Sequence, residues 1–355
     1  MSRVAADARR FLNALTRRSN GIPSLLVLTH DHPDPDAMAS AWALVHLVHE
    51  RFGLPARIVY GGVIGRMENQ MMARILKIPM HRCGPQDLKS RRCVALVDTQ
   101  PPFANNPLPS KRTAALIVDH HPRHAKTKAD IAWIDEKVGA TATLLFEALR
   151  AAHASIPKNL ATALFYGIGS ETQHLGRQAT DRDIAAYRRL MVLVDMRALS
   201  KIQNPSHPSS FFRTLARAVH EAFIIRNVIG VHLGEVATQD IVAHMADFLL
   251  THEKMRWSVV TGRYQGRLYI SVRTLDQKAE AGRLLWRLLG GGSRAGGHSM
   301  IAGGSIEVGQ DAAPEAWRQA EGQLISRFLK RHGIREPFAL NYPYREPAQK
   351  ARPHT

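Results

Sequence analysis

Leu25-Leu26-Val27-Leu28-Thr29-His30-Asp31-His32-Pro33-Asp34-Pro35-Asp36 is the stretch on which the reading of this chain turns. Its apolar start is too short for a buried helix and suits a strand buried on both faces. Thr29 to Asp36 is a polar loop, and Ala37–Phe52 carries apolar residues at helical intervals, so the unit is strand, loop, helix. Working outward, Arg57–Tyr60 reads as strand, Glu68–Ile78 as helix, Cys93–Val97 and Ala114–Val118 as strands, and Thr141–His153 as helix. Helix then dominates from Asn159 to about Ser200. Strands alternating with helices predict an α/β fold with a doubly wound, mainly parallel sheet.

The turn-forming segment Asn204-Pro-Ser-His-Pro-Ser-Ser210 marks a boundary. Phe211–Arg226 is expected as a connecting helix. Val228–Val236, Trp257–Gly262, Leu268–Arg273 and Ile301–Val308 are expected as strands, with helices near Gln239–His252, Ala279–Leu289 and Pro314–His332. The predicted organisation is residues 1–203 as a first domain, 204–226 as linker and connecting helix, 227–340 as a smaller mixed α/β domain, and 341–355 as a flexible basic tail.

The 355 residues carry 48 Lys and Arg against 30 Asp and Glu, a net charge of +18 that attracts polyanions without saying which. A charge-driven DNA binder would need an aromatic-lined groove or a recognition helix, and with 6% aromatics neither is visible. The longest apolar runs, such as Ala41–Val45, fall short of a membrane span. The N-terminus has Arg9, Arg10, Arg17 and Arg18 but no apolar secretory core, so a cytoplasmic location is expected. Val4, Ala8, Phe11, Leu12 and Leu15 predict an amphipathic first helix, with an Arg-rich transit peptide as the lesser reading. Two cysteines, Cys83 and Cys93, exclude a disulfide framework and disfavour a zinc site.

The chemistry lies in the loop that opened this reading. His30, Asp31, His32, Asp34 and Asp36 are five potential metal ligands within seven residues, at the carboxyl end of a parallel strand, where open α/β sheets bind ligands. Two prolines restrict the loop, so Asp34 and Asp36 are held together and repel unless a cation neutralises them. Asp98 ends the next apolar strand and Asp119-His120-His121 the one after. Singly, each such residue is a helix cap or a hydrogen-bonded surface group. Together they suit a pair of divalent ions, Mn²⁺ before Zn²⁺ because oxygen ligands dominate. Two such ions are a standard device for phosphoester hydrolysis.

The order His30, Pro33, Asp34, Asp36, then Val97-Asp98, then Asp119-His120-His121, resembles the DHH phosphoesterases. The resemblance continues through Gly139-Ala-Thr-Ala-Thr143 and Gly167-Ile-Gly-Ser-Glu-Thr172. It reappears as Ser271-Val-Arg273 and Gly296-Gly-His-Ser-Met-Ile-Ala-Gly303, which looks like the glycine and histidine signature of the DHH-associated C-terminal domain. It implies a catalytic domain, a substrate-binding domain and an active site in the cleft between them. Positions matching His30, Asp34 and Asp98 would hold one Mn²⁺, and those matching Asp36, Asp98 and His120 the second, with Asp98 bridging. His121 would protonate the leaving oxygen, Asp119 would support the imidazoles from behind, and a hydroxide activated by both metals would attack phosphorus. Arg273 and His298 would bind a distal phosphate or nucleotide, while Gly296 and Gly297 let backbone N–H groups approach an anion. Arg294 between the glycines adds to that anion site. Two positions depart from the family pattern: Glu171 stands where an Asp usually completes the metal set, and Ile301 where a small residue is usual.

Compact two-domain members resemble oligoribonucleases that trim very short RNA and remove the 3′-phosphate of adenosine 3′,5′-bisphosphate, which is the expected activity. Cyclic di-adenylate or a linear dinucleotide is the alternative substrate. A nucleotide or RNA binder catalytically impaired by Glu171 is the alternative of another class. The expected partners are short RNA or small phosphorylated nucleotides, no membrane, and, by the resemblance, a second copy of the chain.

Overall fold

The computed structural model describes residues 3–19, 21–89, 93–103, 105–276, 278–291, 295–297, 300–335 and 339–345, with side chains from residue 6 onward. They form two compact units, Met1–Pro205 and Ser206–Thr355.

The first unit runs α1 (Arg3–Ser19), β1 (Leu25–Leu28), α2 (Pro35–Phe52), β2 (Ala56–Tyr60), α3 (Met67–Leu76), β3 (Met80–Arg82), α4 (Pro85–Lys89), β4 (Cys93–Val97), β5 (Ala114–Asp119), β6 (Ala129–Ile134), α5 (Thr141–Ala151), α6 (Lys158–Glu171), α7 (Asp181–Met191) and α8 (Met196–Gln203). Its six strands lie in the order β3-β2-β1-β4-β5-β6, every pair parallel. The chain therefore winds outward from β1 to one edge, returns to β4 on the other side of β1, and winds to the opposite edge. The carboxyl ends of β1 and β4 form the switch point where such sheets open a crevice. Both faces of the sheet are covered: Leu25 and Val27 belong to one apolar cluster, Leu26 and Leu28 to another, and all four are buried. That explains why β1 reads as an unbroken apolar run.

Strand β6 escaped the sequence reading because its alternating burial, Ala129-Asp-Ile-Ala-Trp-Ile134, is that of an edge strand with one wet side. Helix α1 is part of the fold: Ala8, Phe11 and Leu15 are buried, and Phe11 lies 4.9 Å from the Trp133 ring of β6.

The second unit runs α9 (Ser209–His220), β7 (Phe223–Ile225), β8 (Val228–Glu235), α10 (Asp240–Leu249), β9 (Trp257–Tyr264), β10 (Arg267–Thr274), α11 (Ala281–Leu288), β11 (Ala295–Gly297), β12 (Ile301–Glu307) and α12 (Pro314–Arg331). Its mixed sheet has the order β11-β12-β10-β9-β8-β7, with β8 and β9 parallel and the other neighbours antiparallel.

The connecting helix expected over Phe211–Arg226 stops at His220. Phe223-Ile-Ile225 is instead strand β7, which turns through Arg226 at φ 53 and pairs antiparallel with β8. β-Branched residues flanking a turn favour the ladder over another helical turn. The segment expected as a flexible tail begins with docked residues: Asn341 pairs with Ile224, and Arg345 lies 3.7 Å over the Tyr342 ring while bonding Glu221. Its remainder, 346–355, lies outside the described residues. Among the described residues no helix is long and apolar enough to cross a membrane.

Candidate metal centre

Three strand ends and two helix N-termini build the site. His30 follows β1, Asp98 follows β4, Asp119 ends β5, and His120 and His121 follow directly. Asp98 adopts a left-handed backbone, φ 60, which is uncommon for a residue other than glycine and accompanies functional positions. Its N–H donates to Val118 O at 2.9 Å, tying the turn after β4 to β5.

Asp98 is the hub. Its Oδ2 lies 3.6 Å from His30 Nε2, and its Oδ1 lies 3.6 Å from His120 Nε2 and 3.8 Å from His121 Nδ1. His30 Nε2 is also 3.7 Å from Asp34 Oδ2. These separations exceed hydrogen-bond length yet suit donor atoms sharing a cation. Two ligand clusters result, His30/Asp34/Asp98 and Asp98/His120/His121, the donor atoms of each lying within 4.8 Å of one another. One buried carboxylate thus belongs to both, with a separate oxygen turned toward each.

Asp34 and Asp36 divide their work in a way the sequence did not disclose. Asp34 is the N-cap of its own helix, accepting from Ala37 N at 2.9 Å. Asp36, 1% exposed, caps another: its Oδ2 accepts from Thr141 N at 2.8 Å and its Oδ1 from Ala142 N at 2.7 Å, at the start of α5. Thr141 in turn donates its hydroxyl to Asp98 Oδ1 at 2.8 Å. Asp36 and Glu171 fall outside both ligand clusters. Glu171 ends α6, with its Oε1 3.7 Å from Arg177 Nη2.

His121 Nδ1 donates to Asp119 Oδ1 at 2.8 Å, since an ionised carboxylate can only accept. Asp119 also accepts from Gln100 Nε2 at 2.8 Å, and Gln100 Oε1 accepts from His124 N at 2.9 Å and Thr127 Oγ1 at 2.7 Å. Gln100 and Thr141 are residues to which sequence reasoning gave no role. The signal for Gln100 was a lone amide two residues beyond Asp98, and for Thr141 a hydroxyl at a helix start. Asp183 is a third. It accepts from Gly139 N at 2.8 Å, Thr143 Oγ1 at 2.5 Å and both Thr180 N and Oγ1, fastening the loop after α6 to the start of α5.

The charges are unbalanced in the protein alone. Burial, then the neighbouring carboxylates, push Asp98 well above the usual carboxylate range. Burial and Asp34 push Asp36 up to about 7, and burial with Asp34 and Asp36 pushes Glu171 up to about 8. Burial opposes charge on His30, but Asp34 overrides it and raises the ring to about 9, while Asp34 itself is lowered by that partner against its own burial. Burial and His121 lower His120 to about 4, keeping it neutral as a ligand imidazole must be. His121 is raised, its burial outweighed by Asp119. Carboxylates forced to hold protons around a shared hub form a donor set that could hold a cation in place of those protons.

Residues 24–168 match the DHH family, N-terminal domain, and residues 222–325 match the DHHA1 domain. The chain belongs to the DHH phosphoesterase family. An uncharacterized protein of Methanocaldococcus jannaschii is 35% identical over 318 residues, covering 88% of this chain and 65% of the relative, so the chain spans just under two thirds of that protein's length. An exopolyphosphatase-related protein from Bacteroides fragilis superposes with a TM-score of 0.65 at 14% identity, over 91% of this chain and 98% of that one, a likeness of fold.

In the DHHA1 domain, Arg273 of β10 is 5% exposed and engaged within the protein. Its Nε donates to Asp247 Oδ1 at 2.5 Å and its Nη1 to Ser271 Oγ at 2.7 Å. Gly297 has φ 144, and a Cβ there would meet Ile301 O at 2.1 Å, so close packing of β11 on β12 demands this glycine. A Cβ on Gly296 would meet nothing within 4 Å. Ile301 pairs with Arg273 across β12 and β10, a local packing role. Arg294 and His298 lie outside the described residues.

Proposed function

We propose that the chain is a metal-dependent phosphoesterase acting on short oligoribonucleotides, on adenosine 3′,5′-bisphosphate, or on both. The observation that carries this reading is the single buried Asp98 shared by two ligand clusters at the switch point of a parallel sheet. His30, Asp34 and Asp98 would hold one divalent ion, and Asp98 and His120 the other, with Asp36 and Glu171 completing the set. Mn²⁺ suits this oxygen-rich donor set. Bound there, such ions would activate water and neutralise charge on the phosphoryl group.

The protein's own groups supply the rest. His121, its Nδ1–H fixed on Asp119, keeps a raised affinity for a proton and delivers it through Nε2 to the departing oxygen. Gln100 holds Asp119, and Thr141 holds Asp98, so neither carboxylate must reorient during reaction. The net charge of +18 draws phosphorylated substrates, and the DHHA1 glycines and basic residues are the candidates for gripping a second phosphate.

The test is hydrolysis of a labelled RNA pentamer and of adenosine 3′,5′-bisphosphate by the purified chain with Mn²⁺, with and without excess chelator. Stepwise mononucleotide release or phosphate release, abolished by chelator, is expected. A folded, Mn²⁺-loaded chain that turns over neither substrate refutes this activity and directs attention to cyclic dinucleotides or to nucleotide binding without turnover.

A further inference from the structure

Glu171 is the one metal-set position that departs from the family pattern, and the loop behind it is built in an unusual way. In the six residues after Thr172, four that are not glycine adopt left-handed backbone: Gln173 at φ 48, His174 at 54, Leu175 at 70 and Gln178 at 50. Such conformations persist only where surrounding bonds impose them. The bonds are present. His174 N donates to Gly169 O at 2.7 Å, Leu175 N to Thr172 Oγ1 at 3.1 Å, Arg177 N to Thr172 O at 2.8 Å, and the loop is fastened at its far end by Thr180 on Asp183.

The result is to fold Arg177 back onto the end of α6. Its Nη2 donates to the Glu171 carbonyl at 2.8 Å and lies 3.7 Å from Glu171 Oε1, so one guanidinium edge holds both the backbone and the side chain of that residue. Arg177 is only 13% exposed, and its Nε–H is withdrawn from water with no acceptor among the described residues. A chain that keeps a strained loop and an unbonded donor gains something from an arginine there.

We infer that Arg177 is a positioning residue that lets Glu171 serve where the family has aspartate. Glutamate has one more rotatable bond than aspartate, so its carboxylate must be immobilised before it makes a dependable ligand. Arg177 would do this through the ion pair of its Nη2 with Oε1 at 3.7 Å, which leaves the other carboxylate oxygen available to a cation. Partners that orient a ligating group commonly control metal affinity by about tenfold to a hundredfold. A guanidinium also repels a nearby cation, which acts in the opposite sense, so the sign of the effect decides. This rests on the proposal that the site holds two divalent ions.

The experiment is a Mn²⁺ titration calorimetrically followed on the full chain, comparing wild type with Arg177→Ala, Arg177→Lys, Glu171→Asp and the Glu171→Asp/Arg177→Ala pair, with circular dichroism as a check of folding. Arg177→Ala is expected to weaken the weaker of two binding events about tenfold or more and to spare the tighter one. Arg177→Lys recovers part of the loss, and in the Glu171→Asp background the arginine matters little. Unchanged or tighter binding in Arg177→Ala overturns the inference, as does an equal loss in the Glu171→Asp background, which would mean that the arginine only folds the loop. If Arg177→Ala does not fold, Arg177→Lys and Arg177→Gln decide on the same criteria. A wild-type chain that binds no Mn²⁺ overturns the metal reading itself, and this inference with it.

Discussion

Thr141→Val isolates one bond of the centre. Valine keeps the shape and β-branching of threonine, and the Thr141 backbone N–H that donates to Asp36 is untouched. Only the hydroxyl bonded to Asp98 Oδ1 at 2.8 Å is removed. A hydrogen bond to a charged acceptor contributes about 1.5–3 kcal/mol, and one between neutral groups about 0.5–1.5 kcal/mol. Burial and the neighbouring carboxylates raise Asp98 well above the usual carboxylate range in the metal-free protein, so its oxygen is the more strongly charged acceptor once a cation displaces the proton. The difference, at most about 1–1.5 kcal/mol, falls on metal affinity as a Kd weaker by up to about five- to twelvefold. The remainder falls on the metal-free fold, lowering Tm by about 2–4 °C. Titration of Mn²⁺ and thermal melts in chelator read the two parts separately, with Thr141→Ala as the control for the extra methyl. Isotherms identical to wild type would refute the idea that this hydroxyl holds the shared carboxylate.

Asp119→Asn removes the charge that raises His121, so the alkaline limb of a kcat/KM profile moves to lower pH. The sign follows from the raised ring: the pair's stabilisation is fully present below the ordinary histidine value near 6.5 and is lost as pH climbs through the folded one. A limb that stays in place assigns the proton to another group. Mn²⁺ binding must displace protons from Asp36 and Glu171, held near 7 and 8, so affinity rises with pH across about 6–8 and calorimetry in buffers of differing ionisation enthalpy detects the release. Zero proton release contradicts ligation by those residues. Gly297→Ala meets backbone and lowers Tm by several degrees, whereas Gly296→Ala leaves Tm within a degree and, if this glycine faces substrate phosphate, raises KM; equal melts for the two variants would contradict the packing described for β11.

The sequence made the winding of the first sheet legible because the inner strands carry buried apolar runs, and β1 and β2 are each followed by a helix. Edge elements were less so: β3 has no buried residue, β6 is wet on one side, and β7 hides in a segment whose apolar spacing also suits a helix. The same division holds at the site. His30, Asp34, Asp98, His120 and His121 could be named because ligand residues at strand ends must converge in a parallel sheet. That Asp36 would spend its oxygens on the first amides of α5 could not be read, since Thr141 lies 105 residues away and only tertiary packing joins them. Gly167 is part of that packing: a Cβ there would crowd Pro35 O at 3.0 Å, and its absence lets α6 approach the start of α2. Arg273 shows the reverse case, a motif residue whose side chain is occupied by Asp247 and Ser271 within its own unit.

The arrangement around Asp98 links fold and chemistry through charge. Asp34, Asp36, Asp98, Asp119 and Glu171 supply five carboxylates to a centre where, among the described residues, His30 and His121 are raised in proton affinity and Arg177 pairs with Glu171. Three of those carboxylates respond by holding protons at pH values where they would ordinarily be ionised. For a carboxyl group raised in this way, the penalty on the folded state is absent below the ordinary value near 4 and grows until pH passes the folded one. The metal-free chain should therefore lose stability between about pH 4.5 and 8, the window set by Asp36 and Glu171, while divalent ions restore it most at the upper end. Melting curves recorded across that range, with Mn²⁺ and with chelator, should diverge as pH rises. Parallel curves would mean that the acidic centre is neutralised by protons alone and that cations play no part in holding it together.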